Sequence, residues 1–101
     1  MRLRTGARLR SQVCATEVIV LRAPAEDVEL TCGGHPMVDR SDPATVPGGP
    51  ITDAPGTRLG KRYTREAADV ELLVTAAGDG ALCIGQEPLR VKEATPLPSS
   101  D

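Results

Sequence analysis

The sequence predicts a mostly β protein made of two tandem small β-hairpin or ribbon units that pack with pseudo-twofold symmetry. Its apolar residues are almost all aliphatic and fall in short runs without sustained helical periodicity. Glycine, proline and aspartate separate these runs, as is typical of strands joined by turns. Residues 6–38 also align with residues 60–90, so one unit is expected to occur twice.

The alignment keeps a constant offset on each side of a single gap, which lies in a turn that is two residues shorter in the second copy. Gaps are tolerated best in turns, so this pattern favours a real repeat over chance similarity between two hairpins. The matched segments are Gly6-Ala7-Arg8-Leu9 with Gly60-Lys61-Arg62-Tyr63, Glu17–Val20 with Glu71–Val74, Leu30 with Leu82, Gly33 with Gly85, His35 with Glu87, Pro36 with Pro88, and Met37 with Leu89.

Four aliphatic or β-branched runs are predicted as strands, and a fifth short strand is expected near the end of the second unit. Asp79-Gly80 between two of the runs is a hairpin signal. A single helical turn is expected over residues 64–69, with Thr64 as its N-cap. The predicted strands span 18–21, 28–30, 70–75, 81–84 and 89–92.

Composition divides the chain into four segments. The first unit covers residues 1–38 and the second covers residues 60–94. Residues 39–59 between them are rich in proline and glycine and lack apolar periodicity, so they are predicted to form a linker or long surface loop. Residues 95–101 are predicted to be a flexible tail.

Charge and composition argue against several classes of function. The net charge is −2 and the only aromatic residue is Tyr63, so neither a basic stripe nor a base-stacking platform for nucleic acid is expected. No signal peptide and no apolar run of about eighteen residues is present, which predicts a cytoplasmic protein without membrane association. Three cysteines in that reducing compartment argue against a disulfide framework.

The candidate metal ligands are Cys14, Glu17, Cys32 and His35. Each half of this set has the x₂ spacing with which a ribbon-type site presents four ligands to one metal ion. Glu17 could instead be a solvent-facing strand residue, and His35 an exposed turn residue before a proline. No cofactor is the leading expectation, and one zinc or iron ion is the alternative.

The residues from Val13 to Val20, followed by a turn and the segment from Leu30 to Val38, resemble desulforedoxin and the N-terminal domain of desulfoferrodoxin. That family has a Cys-x₂-Cys pair, a hairpin, and adjacent cysteines before a Gly-x-Pro-Met-like segment. The resemblance implies a small β unit that binds one iron through four thiolates and commonly pairs as a dimer. It covers about twenty-five residues of the first unit.

The same resemblance implies that the iron site has been lost. The four ligand positions of the family fall on Cys14, Glu17, Thr31 and Cys32 in the first unit. In the second unit they fall on Ala68, Glu71, Cys83 and Ile84. Cys83 is expected to be a buried small hydrophobe. Its pairing with Cys14 or Cys32 is a further possibility that would imply redox sensing.

The sequence therefore predicts a protein that is not an enzyme. One histidine is present, and no spacing suggests a nucleophile with its general base. The leading hypothesis is a non-catalytic accessory or interaction module on a degenerate, duplicated scaffold, with a protein partner or self-association. The alternative is a small metalloprotein that binds one zinc or iron through Cys14, Cys32 and His35.

Overall fold

The computed structural model describes residues 3–41 and 56–92, which form ten short β-strands and no helix. This confirms the mostly β class. Across the described residues, no helix is long and apolar enough to cross a membrane. The strands are β1 (Arg8–Arg10), β2 (Glu17–Arg22), β3 (Leu30–Cys32), β4 (His35–Pro36), β5 (Val38–Asp39), β6 (Arg62–Thr64), β7 (Glu71–Ala76), β8 (Leu82–Ile84), β9 (Glu87–Pro88) and β10 (Arg90–Val91).

The strands form two antiparallel sheets, and each sheet contains strands from both halves of the chain. The larger sheet has the order β10-β6-β7-β2-β1-β5, and the smaller one has the order β4-β3-β8-β9. The halves meet at the centre of both sheets, where β2 pairs with β7 and β3 pairs with β8. The edge strands are only two residues long, and Pro36 and Pro88 lie in two of them, where a missing donor is tolerated.

The pairing pattern recurs between the halves. When β1–β5 are matched in order with β6–β10, the strand order of each sheet reads the same from either end. Connecting hydrogen bonds recur as well. The amide of Met37 donates to Leu30 at 3.0 Å, and the amide of Leu89 donates to Leu82 at 2.8 Å. The first residues of corresponding strands are separated by the same two sequence offsets that the alignment shows.

Alternation along β2 and β7 places their aliphatic side chains in the core. Val18 and Val20 are fully buried, and so are Leu72 and Val74, whereas the residues between them are partly exposed. Leucines and other apolar residues of the smaller sheet join the same cluster, so the two sheets share one core. The cluster comprises Leu3, Leu9, Val18, Val20, Val28, Leu30, Cys32, Met37, Tyr63, Val70, Leu72, Val74, Leu82, Ile84 and Leu89.

The predicted helical turn over residues 64–69 is wrong. Thr64 is the last residue of β6, and its side chain is tied to the backbone rather than capping a helix. Its hydroxyl donates to the Val70 carbonyl at 2.7 Å, which closes the turn that leads into β7. Most of the predicted linker, residues 42–55, lies outside the described residues, as does the predicted tail. At the linker boundary, Asp39 belongs to β5.

Leu72 and Leu73 are adjacent in β7 but face opposite sides of the larger sheet, which makes them a matched pair. Because Leu72 is fully buried, Leu72→Ala is expected to lower the free energy of unfolding by about 2–5 kcal/mol. Leu73→Ala on the outer face should cost about 1 kcal/mol, mostly through lost strand propensity. Urea unfolding measures both values, and equal losses would contradict the assigned faces.

Candidate functional site

The candidate site is a pair of thiols at one end of the core. The sulfurs of Cys14 and Cys32 are 3.7 Å apart, which is van der Waals contact, and both cysteines are free. Cys32 ends β3 and is fully buried, whereas Cys14 lies in the connection between β1 and β2 and is partly exposed. A reagent from solution therefore reaches Cys14 before Cys32.

Ser11 shapes the loop that carries Cys14. Its buried hydroxyl accepts hydrogen bonds from the amides of Val13 and Cys14, both at 3.1 Å, which is the local turn that serine favours. The amide of Ser11 donates to the carbonyl of Thr16 at 2.8 Å and closes the loop. The hydroxyl of Ser11 also lies 3.3 Å from the sulfur of Cys14, so the same side chain positions the thiol.

A chain of hydroxyls joins this loop to the second half of the molecule. The hydroxyl of Thr16 lies 3.2 Å from the sulfur of Cys14 and 3.1 Å from the hydroxyl of Thr57. The Thr57 hydroxyl in turn accepts from the amide of Gly78 at 3.2 Å, and the Thr57 amide donates to the Gly78 carbonyl at 2.9 Å. Both threonines are buried, so these bonds are shielded from water.

The loop between β7 and β8 closes over both sulfurs, and it does so because two of its residues are glycines. A Cβ atom at Gly78 would lie 2.9 Å from the sulfur of Cys14, and one at Gly80 would lie 3.2 Å from the sulfur of Cys32. At Gly80 the added atom would also approach the backbone of Gly33 to 2.7 Å, closer than real contacts allow. The Cys32 thiol lies 3.5 Å from the Gly80 carbonyl.

The two thiols differ in acidity. Burial by itself raises the pKa of Cys14, but hydrogen bonds from Ser11 and Thr16 stabilise its thiolate and lower the pKa to about 7. Burial dominates at Cys32 and raises the pKa of its thiol to about 11. At neutral pH the pair therefore consists of a partly ionised outer thiol beside a protonated inner one.

The structure brings together two of the four predicted metal ligands. Glu17 lies on the outer face of the larger sheet, where it forms an ion pair with Arg40 at 3.1 Å. His35 faces Cys32 in the register of the β3–β4 hairpin but is only partly buried. Within residues 3–41 and 56–92, no three His, Cys, Asp or Glu side chains cluster as metal ligands would.

The donor set does not fit an iron ion held by four thiolates. Beside the two cysteines stand the hydroxyls of Ser11 and Thr16, which are neutral and poor substitutes for thiolate ligands. The third cysteine, Cys83, is buried in β8 opposite Thr31, and so lies in the middle of the smaller sheet. Its predicted burial is confirmed.

The matching positions of the second half carry no thiol pair. By the offsets of the alignment, Ala68 stands in place of Cys14, and Ile84 stands in place of Cys32. Arg65 replaces Ser11, and it holds the turn through two hydrogen bonds to Asp69, both of 2.6 Å. One half therefore presents a thiol pair where the other half has an exposed alanine, a buried isoleucine and an ion pair.

A second feature is a row of side chains across the outer face of the larger sheet. Ile19 of β2 is directly opposite Leu73 of β7, and these two partly exposed residues lie at the centre of the sheet. Arg8 is opposite Ile19 on one side, and Arg62 is opposite Leu73 on the other. Residues opposite one another share a face, so we call this row the Arg–Ile–Leu–Arg strip.

Comparison of the chain with models of known protein families, with curated proteins and with solved structures finds no match in any of the three.

Sequence reasoning found the two cysteines but missed the residues that hold them. Ser11 carries a signal, because it precedes Cys14 with the same x₂ spacing as the Cys-x₂-Cys pair of the resembled family. Thr57, Gly78 and Gly80 reach the site from distant parts of the chain, through pairing that a local pattern does not encode.

Cys14 is expected to be the first of the three cysteines to react with iodoacetamide. Its rate should rise with pH through a midpoint near 7, because the thiolate is the nucleophile and forms as the pH rises through the pKa. Ser11→Ala should move that midpoint upward by about one unit, since the thiolate loses a hydrogen bond. Mass spectrometry of alkylated peptides measures the rates, and a midpoint near 9 in the unchanged chain would contradict the assignment.

Proposed function

We propose that this protein is a non-catalytic accessory module of the cytoplasm, built on a duplicated desulforedoxin-like scaffold that has lost the four-cysteine iron site. The observation that carries the proposal is the recurrence of five strands in each half around a core that contains no charged side chain among the described residues. Burial of aliphatic side chains can hold such a fold together, and its surfaces remain available to a partner.

Support for the duplication comes from hydrogen bonds and ion pairs that recur between the halves. The amide of Gly33 donates to the Ala81 carbonyl at 3.0 Å, and the amide of Gly85 donates to the Glu29 carbonyl at 2.9 Å. The two bonds run between the halves in opposite directions. Applying the alignment offset to the residues of one bond gives the residues of the other. In the same way, the ion pair of Glu17 with Arg40 has its counterpart between Glu71 and Lys92.

The duplication would also place the pairing of the resembled family within one chain. Members of the resembled family commonly pair as dimers, and here β2 with β7 and β3 with β8 would reproduce that pairing inside one chain. A single polypeptide would then keep the dimer scaffold while either site was free to change. Fold and function are separable in this sense, because activity depends on the site and not on the scaffold.

The docking surface of the proposed module is the Arg–Ile–Leu–Arg strip. The sheet edges are poorer candidates, because their strands are two residues long and carry charged residues such as Asp39 and Arg90, which discourage strand addition. The strip has an aliphatic centre between two exposed arginines, of which Arg62 also pairs with Glu71 at 3.7 Å. It therefore fits a protein partner with an apolar contact flanked by carboxylates.

The distance between the two sulfurs favours one alternative, a small metalloprotein. A tetrahedral metal with bonds of about 2.3 Å to sulfur separates two thiolates by about 3.8 Å, close to the 3.7 Å between Cys14 and Cys32. In this alternative His35 would supply a third ligand, and a hydroxyl or water the fourth. The side chain of His35 would have to move toward the sulfurs, since no three-ligand cluster exists among the described residues.

Elemental analysis separates the two proposals. Protein purified without chelators is expected to contain no stoichiometric zinc or iron, and its thermal unfolding should be the same with and without EDTA. One ion per chain that disappears in Cys32→Ser but remains in Cys83→Ser would establish the metalloprotein instead. Cys83→Ser is a suitable control because Cys83 is also buried in the smaller sheet but away from the thiol pair.

The docking surface is tested by a pair of charge substitutions. Leu73→Glu places a carboxylate at the centre of the strip and should weaken partner binding at least about tenfold. Gln86→Glu adds the same charge to an exposed turn of the smaller sheet and should leave binding unchanged. The measurement is affinity capture from the host followed by titration of the identified partner, with circular dichroism to verify folding.

Two outcomes would contradict the docking proposal. One is recovery of the unchanged chain as a lone monomer under gentle conditions. The other is equal partner binding by Leu73→Glu and Gln86→Glu when both variants are folded, because the partner would then use another surface.

A further inference from the structure

We infer that Cys14 and Cys32 form a thiol–disulfide exchange site, in which Cys14 attacks a low-molecular-weight disulfide and Cys32 resolves the product into an intramolecular disulfide. This activity goes beyond the proposed accessory role and does not rest on it. It would give the protein a redox state set by the ratio of small thiols to disulfides around it.

The placement of the two sulfurs carries the inference. At 3.7 Å they are in contact, and a disulfide requires a further approach of about 1.7 Å. Cys14 lies in an irregular connection outside any strand, so its side chain can make that approach. Cys32 is anchored at the end of β3, before the turn at Gly33 and Gly34, whose φ angles are 65° and 89°.

Exposure assigns the order of the two steps. Cys14 is partly exposed and can meet a small disulfide, whereas Cys32 is 0% exposed and can meet only Cys14. The third cysteine is excluded as the resolving thiol. Cys83 neighbours Leu82, the register partner of Cys32, and successive residues of a strand point to opposite faces.

The chemistry balances with the disulfide as the oxidant. The Cys14 thiolate forms a bond to one sulfur of the small disulfide, whose S–S bond breaks and releases one thiolate. The Cys32 thiol then gives its proton to that released thiolate, and its sulfur attacks the sulfur of Cys14 and displaces the second thiolate. The second released thiolate takes up from water the proton that Cys14 lost when it ionised. The protein therefore loses two electrons and two protons in all, and the small disulfide is reduced to two thiols.

The site would also report its oxidation state to the second half of the chain. In the reduced form the Cys32 thiol lies 3.5 Å from the carbonyl of Gly80, and oxidation removes the proton that this contact uses. The glycine loop has no spare room over the sulfurs. Because the sulfurs must move closer together, we expect this loop to shift when the disulfide forms.

The test is incubation of the full chain with glutathione disulfide, followed by intact-mass and peptide-level mass spectrometry. The unchanged protein and Cys83→Ser should both lose the mass of two hydrogens and form a Cys14–Cys32 disulfide, with two glutathione molecules released per chain. Cys32→Ser should stop at the first step and keep one glutathione on Cys14. Cys14→Ser, at a half-exposed position, should abolish both reactions. This second variant keeps the test decisive if Cys32→Ser fails to fold.

Three results would overturn the inference. Glutathione that persists on Cys14 of the unchanged protein would show that Cys32 does not resolve it. A disulfide that includes Cys83 would show that the sulfurs are arranged differently. A reaction that proceeds only after EDTA is added would assign the two thiols to a bound metal. Failure of partner binding, by contrast, bears only on the proposed accessory function and not on the thiol–disulfide exchange.

Discussion

The pairing of β2 with β7 is the interaction on which the rest of the structure depends. These two strands are the longest in the described part of the chain, and they join the halves at the centre of the larger sheet. Their buried valines and leucine form one side of the core, and side chains of the smaller sheet pack against them. Because each sheet takes half of its strands from each half of the chain, each half completes the core of the other.

This dependence explains how a core without phenylalanine or tryptophan can be assembled. A buried aliphatic side chain contributes only about 1.5–3 kcal/mol, so a unit of about thirty residues has too few of them to fold alone. Pooling two sets in one core raises the number of side chains that each core buries. The thiol site lies where the pooled core meets the loops, and it takes residues from both halves: Thr57 and Gly80 from one, and Cys14 and Cys32 from the other.

Much of this fold follows from the sequence, and the exceptions have physical causes. The strands with strong alternation, such as β2 and β7, were predictable because one face is apolar. β1 and β6 were not, since each has a single buried hydrophobic residue, Leu9 or Tyr63, between charged or polar neighbours. The two-residue strands form only by pairing with neighbouring strands, so no local sequence pattern predicts them. At the site, spacing identified the cysteines, whereas Glu17 was grouped with them although strand alternation turns it toward solvent.

The three cysteines lie in two different kinds of environment. A buried cysteine serves well as a small hydrophobe, and Cys83 has that role. Cys14 has a different environment, because hydroxyl groups surround its sulfur and part of it is exposed. The half that carries these groups keeps a chemical site, whereas the other half has the exposed Ala68 and the buried Ile84 at the matching positions.

The central claim is that both halves form one cooperative structure through β2 and β7. Native-state hydrogen exchange by NMR tests it most directly, because each amide reports the free energy of the opening that exposes it. The account predicts that the slowest amides of β2, β3, β7 and β8 exchange with one common free energy, equal to that of global unfolding. Amides that stay protected in one half while the other half exchanges freely would contradict it.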